Sequence, residues 1–148
     1  MTTLANAFRA GNGRKTKWQN QVVHSVVQLE VRDGSRIEIV RIAASKVRAQ
    51  GIKIGVDKGE LRANGILTKT AVIWSHTSPD QVQLDVVGKR AKSVDLWNCW
   101  SFGGVDSAWL GNAGMLVERD GTGQLLRCSD GIGEPTFDDL VVRVVIDG

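Results

Sequence analysis

The chain has 148 residues, 42% hydrophobic and 24% charged, with 17 glycines but only two prolines, values that fit one ordinary folded domain. A domain of this length buries roughly 70% of its unfolded surface, so it folds without a metal or a disulfide framework, and collagen, coiled coil and bulk disorder are excluded. The net charge of +3 sits at one end: Arg9, Arg14, Lys15 and Lys17 lie with no acid in residues 1–20, which leaves 15 basic against 16 acidic residues in 21–148.

The first twenty residues therefore read as a basic arm, and 21–148 as a single domain. Val27, Leu29 and Val31 alternate with Gln28 and Glu30, the period of a half-buried strand, and Asp33-Gly34 then predicts a turn into a second strand over 36–42. From Ala43 to Gln50 the composition shifts to Ala, Lys, Arg and Gln and stops at Gly51, which predicts two turns of helix. Glycines at 51, 55, 59 and 65 then suggest turns and bent strands.

Strand character resumes over 70–76 and again where Val82, Leu84 and Val86 alternate with polar residues; a loop at Gly88-Lys89-Arg90 predicts a hairpin into the next strand. In that strand Val94, Leu96, Asn98 and Trp100 share one face, and Asp95, Trp97 and Cys99 the other. The glycine-rich stretch from Ser101 to Gly114 reads as a long loop, of the kind that often carries function. Met115–Glu118 and Gln124–Cys128 flank Asp120-Gly121 as a further hairpin, and the apolar strand from Leu140 to Ile146 reads as central, paired on both sides. Eight or nine short strands with one short helix predict an all-β antiparallel sandwich or jelly roll.

Five tryptophans occur with no tyrosine, and Trp97, Trp100 and Trp109 fall within thirteen positions. Such rings fill cores, but a flat indole on a sandwich also covers the apolar face of a sugar, with Asp95, Asn98 and Asn112 nearby to supply directional hydrogen bonds. Asp130, Glu134, Asp138 and Asp139 form an oxygen-rich loop of the kind calcium prefers, although the spacing is not that of an EF-hand, and aspartates also tie off tight turns. Trp18 beside Arg9, Arg14, Lys15 and Lys17 offers either an anion-binding arm or one that docks on a second copy. Four cations are too few to expect a nucleic-acid partner.

Cysteine chemistry would need His24 or His76 near Cys99 or Cys128, and carboxylate chemistry would need Asp95 to meet Asp85 or Glu118; no local motif supports either. The absence of an apolar run of membrane-spanning length or of a leader's apolar core sets the expectation of a cytoplasmic protein without a membrane partner. The expected function is a non-enzymatic module that binds a carbohydrate or similar polar ligand through the Trp-bearing loop, with calcium as a possible cofactor. The alternatives are an assembly protein whose arm joins a homo-oligomer, and a hydrolase with a carboxylate or cysteine site.

Overall fold

The computed structural model describes residues 3–148, which form two antiparallel sheets and one short helix. The helix α1 (Leu4–Ala10) is followed by fourteen strands: β1 (Lys15–Trp18), β2 (Gln21–His24), β3 (Val27–Glu30), β4 (Arg36–Ala44), β5 (Ala49–Val56), β6 (Glu60–Ala63), β7 (Ile66–Thr68), β8 (Thr70–Trp74), β9 (Gln81–Val87), β10 (Ser93–Phe102), β11 (Val105–Ser107), β12 (Gly114–Asp120), β13 (Gly123–Ser129) and β14 (Leu140–Asp147). The all-β sandwich expected from the pattern is present, with more and shorter strands than eight or nine. None of the described helices is long and apolar enough to cross a membrane.

The larger sheet runs β1-β2-β12-β13-β14-β4-β9-β6-β7, and the smaller one β11-β10-β5-β8, with β3 paired along the first half of β10. Between them lies one core. Ile37, Ile39, Leu84, Leu126, Val142 and Val144 come from the larger sheet, and Val27, Ile52, Ile54, Val94 and Leu96 from the smaller. β14 is central as its pattern requires, paired with β13 on one side and β4 on the other. The β12–β13 hairpin closes between Asp120 and Gly123.

Two expected hairpins are replaced by crossings between sheets. β3 does not pair with β4: Val27 and Leu29 lie opposite Leu96 and Val94, while β4 pairs with β14 and β9. The Asp33-Gly34 turn instead carries the chain from one sheet to the other, held by the buried Ser35, whose hydroxyl accepts from Arg32 N and donates to Gly148 O. β9 and β10 likewise belong to different sheets. An alternating pattern sets which face is buried and leaves the partner strand open.

The helix expected over 43–50 is absent, because Ala43 and Ala44 pair with Val141 and Leu140, and Ala49 and Gln50 with Ser101 and Trp100. Pairing on both sides overrides a weak local preference. Gly51 and Gly55 lie inside β5 instead of in turns. A Cβ at Gly51 would stand 2.8 Å from the Trp74 ring and 2.9 Å from Cys99 Sγ, so this site accepts no larger side chain while that ring stays in place.

The segment read as a basic arm packs on its own chain. Thr3 caps α1 by accepting from Asn6 N at 3.2 Å, and Leu4 and Phe8, one turn apart, are buried with Val23 and Phe137. Lys15–Trp18 then forms a hairpin with β2. Leu4→Ala should therefore lower the unfolding free energy by about 2–5 kcal/mol, a cost that urea denaturation would measure. An unchanged midpoint would mean that α1 does not dock.

Candidate functional site

The alternation of β10 divides its residues as the pattern predicts. Val94, Leu96, Asn98 and Trp100 are buried, while Asp95 and Trp97 are partly exposed on the other face; Cys99, on that same face, is the exception and is buried. That outward face continues across the smaller sheet through Lys53 of β5, opposite Trp97, and Val72 of β8, opposite Lys53. Trp109 lies over it, stacked on Trp97 with ring centroids 5.2 Å apart and planes 27° from parallel.

Trp109 is held in an unusual way. Its φ of 59° lies in the left-handed region, which a bulky side chain adopts only where its surroundings enforce it. The surroundings are the Trp97 ring and a 3.0 Å hydrogen bond from the indole Nε1 to Ser25 O. Even so held, the residue is 49% exposed. It borders a mostly apolar cleft of about 320 Å³ lined by Ala5, Phe8, Arg9, Gly13, Ser25 and Val26.

The remaining residues expected at a ligand site have internal roles. Trp100 is 2% exposed, and its ring lies so close to Gly131 that a Cβ there would collide with it. Asn98 is buried, with its Nδ2 donating to Ser129 O at 2.8 Å. Asn112 accepts from Leu4 N and donates to Gly133 O, so it fastens α1 to two loops. Asp95 stays on the outward face, and its Oδ1 is buried without a hydrogen-bond partner.

The acidic loop does not assemble as a calcium cage. Asp130 is fully buried and faces Arg48, whose Nε lies 2.9 Å away, while Gln50 Nε2 donates to it at 3.0 Å. Asp139 accepts from Asp130 N, and Asp138 accepts from the Thr136 hydroxyl. Burial raises the Asp139 carboxyl above its ordinary range. Glu134 is exposed. Among the described residues no three His, Cys, Asp or Glu side chains converge to hold an ion. The loop's aspartates satisfy an arginine, a glutamine and backbone amides, as turn aspartates do.

Of the basic group, Arg9 lines the Trp109 cleft, Arg14 and Lys15 line a second cleft with His24 and Gln28, and Lys17 and Trp18 lie on β1. Neither thiol bonds to an imidazole among the described residues. Burial pushes Cys99 up to about 11, opposed by Lys53 and reinforced by Asp106. The fully buried Cys128 is raised further, first by burial and then by Asp139 and Cys99. Asp85 pairs with Arg36 and Glu118 with Arg127, so the carboxylates weighed as an acid pair with Asp95 are engaged elsewhere. Trp74, which composition alone did not distinguish, covers Gly51 and meets His76 at 5.9 Å; a glycine inside a strand, at position 51, was the signal for it.

Two measurements check these placements. Trp109→Ala should change the unfolding free energy by no more than about 1.5 kcal/mol, while Trp100→Ala loses about 3–5 kcal/mol; equal losses would make both rings core. A thiol reagent at about pH 8 should modify Cys99 and Cys128 only after unfolding, since the protonated thiol is a poor nucleophile; fast modification of the native protein would restore a reactive cysteine.

No protein-family model matches the chain, and comparison with curated proteins and with solved structures finds none similar to it.

Proposed function

We propose that this chain is a non-enzymatic binding module that holds a carbohydrate, or a similar polar ligand with one flat apolar face, against Trp109. The observation that carries the reading is a half-exposed indole fixed by a stack and a hydrogen bond in a strained backbone conformation, at the wall of a cleft. A large ring held rigid in solvent loses little freedom when a ligand covers it. The cleft of about 320 Å³ lies at the small end of ligand sites, which suits one sugar ring.

The division of labour follows from the lining. Phe8, Ala5 and Val26 offer apolar contact, and Arg9 is the cationic donor at the rim, suited to ring hydroxyls. Trp97 supports Trp109 from behind. Leu4 is covered by its own chain, which speaks against a role for it between subunits. Calcium has no part in this reading.

An oligosaccharide panel read by tryptophan fluorescence tests it. A binding sugar should quench emission, and Trp109→Ala should weaken that sugar by about tenfold or more, equivalent to about 1.4 kcal/mol, while the far-ultraviolet spectrum is retained. Silence across a broad panel, or binding indifferent to Trp109→Ala, would reject the proposal.

A further inference from the structure

A further cavity, of about 490 Å³, opens where the turn between β4 and β5 meets the end of β8, and it shares no lining residue with the Trp109 cleft. Two arginines line it, and both are mostly buried along their length, Arg41 being 16% and Arg48 19% exposed at the side chain. We propose that this cavity binds a small organic phosphate.

The arginines are aimed before any ligand arrives. Asp130, which lies outside the lining and is fully buried, accepts from Nε and Nη2 of Arg48, and Nη1 makes no hydrogen bond among the described residues. Among the described residues Arg41 uses only Nη2, on Ser78 O and Asp80, and so keeps Nε and Nη1. A guanidinium held by a carboxylate at its back presents its remaining N–H groups in a fixed plane, the arrangement that phosphate oxygens fit.

Two serines and a lysine add further donors, beside His76. Ser45 Oγ accepts from Val47 N and Ser75 Oγ accepts from Gln50 N, so each hydroxyl keeps its proton to donate. Lys46 adds an exposed ammonium. A lining with spare donors selects a ligand rich in acceptors, and a phosphate monoester has more acceptor oxygens than a carboxylate. Ala43, Ala44 and Ala49 provide an apolar wall, and the volume exceeds what a bare phosphate fills, which leaves room for the organic group.

Asp80 is the competing anion. It pairs with Arg41 at 2.7 Å, yet its side chain is 84% exposed, so it can turn into water when a dianion takes its place. Removing Asp80 and removing Arg41 must then act in opposite directions.

Isothermal titration calorimetry of the full chain with adenosine monophosphate, inorganic phosphate, succinate and adenosine tests the proposal. The monophosphate binds most tightly, inorganic phosphate less so, and adenosine not at all. Arg41→Gln and the exposed Lys46→Gln each weaken the monophosphate, the former by about tenfold, and Asp80→Asn tightens it several-fold. Absence of heat from either phosphate at about 5 mM, near the limit of meaningful affinity, overturns the proposal. So does succinate matching the monophosphate, adenosine binding as well as its phosphate, or weakening by Asp80→Asn.

Discussion

A buried carboxylate, Asp130, joins the two halves of this protein. It follows β13 of the larger sheet; its partner Arg48 immediately precedes β5 of the smaller one, and Gln50 lies within that strand. An isolated charge in that position would cost several kcal/mol, and removing one partner of such a pair typically costs about 3–5 kcal/mol. Here the carboxylate also accepts from Ile132 N at 3.0 Å, so its oxygens are satisfied from both sheets and from its own loop. The pairing thereby fixes the sheets relative to each other, a constraint that nondirectional apolar packing does not impose by itself.

The loop that begins at Asp130 extends the same constraint to the aromatic corner. Gly131 lies against the Trp100 ring, and Gly131 O accepts from Asn112 N. Asn112 in turn holds the first residue of α1. A continuous series of contacts therefore runs from the β4–β5 turn through the acidic loop to the segment that carries Trp109. The two cavities differ in chemistry, one donor-rich and one aromatic, but they are built on one frame.

Much of the sandwich was legible because burial follows alternation. In β10 the pattern separated Trp97 from Trp100 correctly, and the two-sided apolar run of β14 marked a central strand. Partner choice was not legible, since Val27 and Leu29 suit any apolar neighbour and only the assembled core selects β10 over β4. The acidic loop illustrates the same limit for chemistry. Its carboxylates resemble ion ligands in composition, whereas the residue that claims Asp130 is Arg48, 82 positions away. The helix at Leu4–Ala10 did carry a signal, a threonine cap before apolar residues four apart, which the cluster of cations around it obscured.

The larger sheet is open, so it ends in two unpaired margins, and they are guarded unequally. β1, at one margin, carries Lys15 and Lys17 within four residues, and two copies approaching along that strand would bring like charges together. β7, at the other, exposes Ile66 and Leu67 with only Lys69 beyond them. The amino-terminal lysines thus act as a barrier to edge-to-edge stacking, and unwanted growth of the sheet between molecules would begin from the opposite side.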